Sequence, residues 1–375
     1  MTSARASSLP PSAPRLRGCR NLTPYRVLQC DKMGPGRAYY DVVVVKGTFA
    51  LAPGELHLAP EQAPIYLVDE YVDPEKPTRS SVARSGDLVV TKRATDVLVT
   101  GTARTAGRAP AREWQASVIV RGSDGARVAS SLRVTGPRRF RHRTLGGWTL
   151  SDPEPTSEVP IRYELSYGGS YPDLDHAPSP GEPHRWRVYE ANPAGVGHWD
   201  PRILDTAKTY AGPQWEDPAS PVTAPGCGAP LAGFGPVARA WSSRRSLAGT
   251  YDDAWIERAR AEAESGAPPD YPADFDARFF QCAHPKLIAP GHLRGDETLV
   301  LGGLCPGAAR LETRLPGVEL EADLFGPRNR VSTHPLPLDT VHVDLDAATV
   351  SLTWRMTVLQ DFGIDHAVIL EKERT

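Results

Sequence analysis

The stretch Tyr39–Leu51, YYDVVVVKGTFAL, decides how the rest of the chain is read. Four consecutive valines are stiff at χ1 and favour the extended backbone. The run is also short for a helix, and Gly47 stands near its end, so it is a strand. Similar segments follow on either side. Thr95–Ala103 (TDVLVTGTA) alternates, with Val97 and Val99 on one face and Leu98 and Thr100 on the other. Trp114–Arg121, the polar Gly122-Ser123-Asp124-Gly125 and Arg127–Val134 spell a strand, a tight turn and a returning strand. Ile161–Tyr167 (IRYELSY) reads as a further alternating strand closed by Gly168-Gly169. Thr298–Leu301 extends the set. Thr340–Leu345 and Thr349–Val358 form a hairpin around Asp346-Ala347-Ala348, and His366–Leu370 adds a last strand.

One helix interrupts this pattern, over Asp253–Ser265. Asp252 or Asp253 can cap its start and Gly266 its end, and WIERARAEAES is built from good helix formers. Trp255, Ala259 and Ala263 share one stripe, so the helix is expected to dock through Trp255. The expected fold is all-β, mainly antiparallel and sandwich-like, with one or two inserted helices and long loops. Four regions are expected: a floppy leader over 1–20, a β domain over 21–170, a long loop excursion over 171–230, and an aromatic-rich segment, helix and strands over 231–375. The first and last β regions are compatible with one continuous fold. In the excursion the regular periods dissolve, and Trp186, Tyr189, Trp199, Tyr210 and Trp215 are available to pack it.

Composition narrows the function. The chain has 375 residues, 40% of them hydrophobic and 23% charged, with a formal net charge of −2, values ordinary for a soluble globular protein. That charge argues against a protein dominated by nucleic-acid phosphate binding. The 37 prolines are dispersed, which suggests loops and strand edges rather than one disordered tract. Five cysteines with no CxxC spacing support neither a disulfide framework nor a zinc site. No stretch approaches the roughly 20 apolar residues that cross a bilayer, and residues 1–18 lack a secretory core, so the chain reads as cytoplasmic, without membrane insertion.

Candidate chemistry is sparse. Asp339, Asp344 and Asp346 lack the spacing of a calcium loop, and Asp346 suits a turn. Asp252, Asp253, Asp270, Asp274 and Asp276 are carboxylates that a hydrolase could draw on, but one or both of the first two already serve as a helix cap and Asp274 as a turn or cap. Cys282 and His284 lack a third orienting group. The histidines show no metal spacing, the glycine pairs no phosphate-loop spacing, and no cofactor is expected. Arg138, Arg139, Arg141 and Arg143 form the densest basic run, read as a strand with one arginine face, with an acidic-partner or nucleic-acid contact as the alternatives.

The stretch Ala232–Cys282 is the densest in aromatics, with AGFGPVARAW, AGTYDDAW and DFDARFFQC separated by turn residues. Within it, Phe234, Arg239, Trp241, Phe279, Phe280 and Gln281 are candidate partner-binding residues, since aromatics and arginine dominate interface hot spots.

These segments, with NLTPY at Asn21, VVVKGTFAL at Val43, DEY at Asp69, RYELSYGG at Arg162, NPAGVG at Asn192 and LDTVHVDLDAATVSLTWR near the end, resemble an uncharacterised domain-of-unknown-function family. Its genes often lie beside those for the spike and PAAR tip of type VI secretion systems. The match runs from Asn21 to about Arg355. It departs after FFQCA, where a polar residue, often Gln, is usual and this chain reads HPKLIAPGHL. The resemblance implies a non-enzymatic adaptor or chaperone that binds an effector protein, or a PAAR- or VgrG-type spike protein, and assists loading. The alternatives are a carboxylate hydrolase using Asp252–Asp276, or a structural subunit of a contractile injection particle.

Overall fold

The computed structural model describes residues 16–17, 19–176, 183, 185–326, 330–360 and 366–372. The principal strands up to the middle of the chain are β1 (Arg26–Met33), β2 (Tyr39–Ala50), β3 (Asp96–Thr100), β4 (Glu113–Gly122), β5 (Gly125–Thr135), β6 (Arg139–Arg143) and β7 (Gly147–Leu150). After helices α1 (Ser242–Arg245) and α2 (Asp253–Glu264) come β8 (Thr298–Gly302), β9 (Arg310–Arg314) and β10 (Leu320–Gly326). The last are β11 (Arg330–Leu336), β12 (Leu338–Asp344), β13 (Thr349–Leu359) and β14 (His366–Glu371).

One sheet has the order β1-β2-β13-β12-β3, with Leu16–Arg17 added at the β1 edge; only β3 runs parallel to its neighbour. A second is ordered β5-β4-β8-β9, flanked by Trp215–Glu216 and Gly54–Glu55. A third joins Cys19–Asn21, β14, β10 and β11. The inner faces of all three close on one core containing Val43 and Leu352, Val118 and Leu301, and Ala322 and Ile369. That is the all-β layered packing expected of the strands, and the early and late strands share it. The β2 valines are apolar throughout because both faces are covered: Val43 and Val45 enter this core, while Val42 and Val44 pack with Cys30 and Leu88 behind the sheet.

Several local expectations hold in detail. The β4–β5 hairpin turns through Ser123 and Asp124, with Gly122 paired to Gly125. Between β12 and β13, Asp344 accepts hydrogen bonds from the Asp346 and Ala347 amides, and Ala348 takes φ 51°. Helix α2 is capped by Asp252, which accepts from the Trp255 amide at 2.8 Å, and Gly266 follows with φ 79°. In the 171–230 excursion, Tyr189, Trp199 and Tyr210 pack with Phe140, Tyr167 and Val222 as a separate aromatic cluster, and Trp215 reaches the main core.

Three expectations are corrected. Ordered chain appears before Asn21, since Leu16–Arg17 and Cys19–Asn21 pair with β1 and β14; the rest of the 1–20 leader lies outside the described residues. Ile161–Tyr167 is a 3₁₀ turn at Tyr163–Leu165 followed by a two-residue strand. The alternation of Tyr163, Leu165 and Tyr167 does not come from a strand: Tyr163 is buried by a hydrogen bond from its hydroxyl to the Gly235 carbonyl, and its amide donates to the Ser81 hydroxyl. Finally, α2 does not dock through Trp255. That ring is half-exposed against Tyr251, its Nε1 donates to the Asp270 carbonyl, and Ala259 is the buried residue of the helix.

Gly47 has a packing reason of its own. A Cβ there would stand 2.7 Å from the buried Tyr25 ring, which stacks on Trp354 at 5.5 Å. Gly47→Ala should therefore cost about 1–3 kcal/mol in urea unfolding, as overpacking does. Gly307→Ala, with open space around its Cβ, should be close to neutral in the same measurement.

Candidate functional site

The six candidate partner-binding residues do not form a surface. Phe234 and Trp241 are fully buried, and Phe280 and Gln281 nearly so. The Gly233-Phe234-Gly235 bend turns its ring inward: Phe234 meets Trp215 edge-on at 5.8 Å, and its carbonyl accepts from the Val99 amide. Trp241 packs edge-on against Tyr163 at 5.1 Å and donates to the Thr78 carbonyl. Phe279 is half-buried beneath the Arg244 guanidinium, while Phe280 packs with Val89 and Val90. Arg239 is the most open of the six and is paired with Asp69 at 3.0 Å. The reason is geometric. Large rings beside Gly and Pro turns are what a loop needs to fold back onto a sheet, and that signature does not distinguish core from interface.

What this segment folds onto is a buried ionic relay that the sequence reading did not identify. Asp96, at the start of β3, has no exposed surface. One of its oxygens accepts from Lys92 Nζ at 2.7 Å and from the Cys282 amide at 2.8 Å; the other accepts from Gln281 Nε2 at 2.9 Å. Lys92 also donates to Thr340 Oγ1 at 2.8 Å, and Thr340 donates to Asp339 at 2.8 Å. Asp339 in turn accepts from Arg355 Nε at 2.6 Å, and the Arg355 fork donates to the Asp87 and Val89 carbonyls. Lys46 Nζ to Asp87 at 2.8 Å ends the chain of contacts. Gln281 adds a bracket on the loop itself, donating to the Ala94 carbonyl and accepting from the Arg93 amide.

For three of these charges a signal was visible in the sequence. Lys46, Asp96 and Arg355 are charges interrupting apolar strand runs, VVVVKGTF, TDVLV and SLTWRMTV. A charge in a strand covered on both faces must be paired.

The electrostatics fit a structural clamp. Burial alone would lower the Lys92 ammonium, but the carboxylates of Asp96 and Asp339 hold it above the ordinary lysine value. Burial pushes the Cys282 thiol up to about 11 against the pull of Lys92, so it is a thiol at neutral pH. A recess of about 220 Å³ opens beside Lys92, Asp339 and Arg355, with His292 and His334 on its wall. The carboxylates and cations at its base are already committed to each other. Cys282 is not paired with His284, whose Nδ1 accepts from the Lys286 amide and whose Nε2 donates to the Leu231 carbonyl.

The acidic cluster is likewise committed to backbone. Asp252 caps α2, Asp276 caps the Ala277–Phe280 turn, Asp274 accepts from the Thr250 amide and hydroxyl, and Asp270 accepts from the Gly36, Arg37 and Tyr271 amides. Hydrogen bonds from Thr250 lower the pKa of Asp274, and those from Arg278 lower that of Asp276, opposite to what a general acid requires. Among the described residues, no three His, Cys, Asp or Glu side chains are grouped to hold a metal. No helix there is long and apolar enough to cross a membrane.

The outer face of the second sheet is different. Ser117 and Ile119 of β4, Ala129 and Ser131 of β5, and Val300 and Gly302 of β8 line a shallow trough of about 460 Å³. Its floor is the cross-strand pair Ile119–Val300, and its sides are hydroxyls and small residues together with Gln115 and Arg310. Gly302 keeps the trough open at one end, where a Cβ would meet Ser117 Oγ at 2.4 Å. The ion pairs Arg121–Glu312 and Arg133–Glu113 border it.

Residues 36–355 match the profile of an uncharacterised protein family conserved in bacteria, DUF2169. The chain belongs to that family. The matched region spans the valine strand β2, the trough, the aromatic segment and the whole relay, ending on Arg355 itself. No curated protein and no solved structure matches this DUF2169 chain.

One outcome tests the relay of this DUF2169 member, and a second tests a histidine of the same sheet. Lys92→Met leaves Asp96 buried without its cation and should cost about 3–5 kcal/mol in denaturant unfolding, whereas Lys92→Met with Asp96→Leu should cost clearly less. His342, hydrogen-bonded to Thr100 at 2.8 Å, is lowered from 6.5 to about 4, chiefly by burial. The unfolded chain binds that proton first, so stability should fall as pH drops from 6.5 towards 4. His342→Gln should flatten this part of the pH–stability curve.

Proposed function

We propose that this DUF2169 protein is a non-enzymatic adaptor that binds a secreted effector and assists its loading onto a type VI secretion spike with a PAAR- or VgrG-type tip. The observation that carries the binding reading is the trough on the outer β4–β5–β8 face. It is a rigid surface backed by the main core, with an apolar floor and rims of Ser, Ala and Gly. Small residues on an outward sheet face leave volume that a partner's side chains can fill, and a flat apolar centre with charged borders has the layout of a protein interface. The secretion context comes from the family resemblance in the sequence. The rival carboxylate hydrolase would draw on Asp252–Asp276, where four of the five carboxylates are engaged as caps and turn anchors.

The test is co-purification of tagged protein with the effector and PAAR proteins encoded beside it. A complex is expected, and Ala129→Arg, placed in the trough, should abolish capture while leaving the thermal melting temperature unchanged. Absence of any complex, or full capture by Ala129→Arg, overturns the reading. Fixed stoichiometry in purified injection particles would replace it with a structural-subunit role.

A further inference from the structure

The basic run noted in the sequence divides in the structure. Arg138 points inward, where Glu216 at 2.9 Å and the Pro213 carbonyl hold it. Arg139, Arg141 and Arg143 occupy alternate positions of β6 and therefore share one face of the sheet formed by β7, β6 and Tyr210–Ala211. All three are exposed, and none of their guanidinium groups has a hydrogen-bond, ion-pair or ring partner among the described residues. Neither does the hairpin supply one: from residue 138 to residue 151 there is no Asp or Glu.

The other face of this small sheet is fixed. Phe140 is fully buried, Trp148 and Leu150 pack around it, and Trp148 meets Tyr210 edge-on at 5.7 Å. The arginine face is thus held on a rigid backing. Directly across from Arg141, the Thr149 hydroxyl is screened from water and has no hydrogen-bond partner among the described residues. At the tip, Leu145 is fully exposed.

We propose that this Arg139–Arg141–Arg143 face is a docking surface for an acidic, extended polypeptide segment. Like charges repeated about 7 Å apart along one strand repel each other and are matched by carboxylates at alternate positions of a second extended chain, which repeat at the same interval. Leu145 then offers an apolar end contact beside the charged stripe. A polypeptide fits better than a nucleic acid. The chain as a whole is net negative, and the aromatic rings of this hairpin face the aromatic cluster, leaving the arginine face without a stacking platform. The surface is separate from the β4–β5–β8 trough, and the proposal does not rest on the adaptor reading.

The test is fluorescence anisotropy with a labelled alternating Glu–Thr peptide, on the full chain, with an alternating Ser–Thr peptide and an oligo-dT strand as comparison probes. The Glu–Thr peptide should bind, weaken as salt rises, and lose roughly tenfold or more in affinity with Arg141→Glu. Arg139→Glu with Arg141→Glu and Arg143→Glu should abolish binding, and Arg260→Glu, on the exposed side of α2, should leave it intact. Thermal melts establish that each variant is folded; these side chains are exposed, so wild-type melting is expected. The proposal is overturned if the Glu–Thr peptide binds no better than Ser–Thr, if the triple variant binds as wild type does, or if oligo-dT binds more tightly than the acidic peptide.

Discussion

The buried ion pair between Lys92 and Asp96 is the constraint on which the rest of the molecule depends. Neither charge can remain unpaired in the interior, since an isolated buried ion costs several kcal/mol even after relaxation. Satisfying Asp96 draws in the Cys282 amide and the Gln281 side chain; satisfying Lys92 draws in Thr340 and, through it, Asp339 and Arg355. Three distant parts of the sequence are tied at one point: the loop before β3, the end of the aromatic segment, and the β12–β13 hairpin. Hydrophobic burial is non-directional and would hold these parts together in many arrangements. The relay selects one of them by demanding specific donors at specific positions.

That selection explains why the aromatic segment lies inside. Gln281 and Cys282 pull the chain end onto Asp96, and Arg244 gathers the Val237 and Phe279 carbonyls from the same side. With both ends fixed, Phe234, Trp241 and Phe280 have the interior available to them, and rings of that size bury on the order of 150–250 Å² each. The open surfaces are then left to other parts of the chain, the small-residue trough on the second sheet and the arginine face of the β6–β7 hairpin. One is nearly neutral and the other purely basic, so they suit partners of different chemistry.

The sequence by itself determined those strands and turns that rest on local terms, while Arg26–Met33, Leu320–Gly326 and Arg330–Leu336 were not read as strands from it. Four valines in a row, Ser123-Asp124 between glycines, Asp346 within the turn between two late strands, and Asp252 ahead of a helix each act within a few residues. The arginine alternation on β6 was legible for the same reason. Tertiary structure decided which way Phe234 and Trp241 faced, that Ile161–Tyr167 was a turn, and that Trp255 stayed near the surface. Those outcomes depend on partners such as Trp215, Gly235 and Asp270 supplied from other parts of the chain. Tertiary structure also decided the pairing of Lys92, Asp96, Asp339 and Arg355. A charged residue within an apolar strand announces that a counter-charge is needed, but only the folded chain brings that counter-charge within 3 Å.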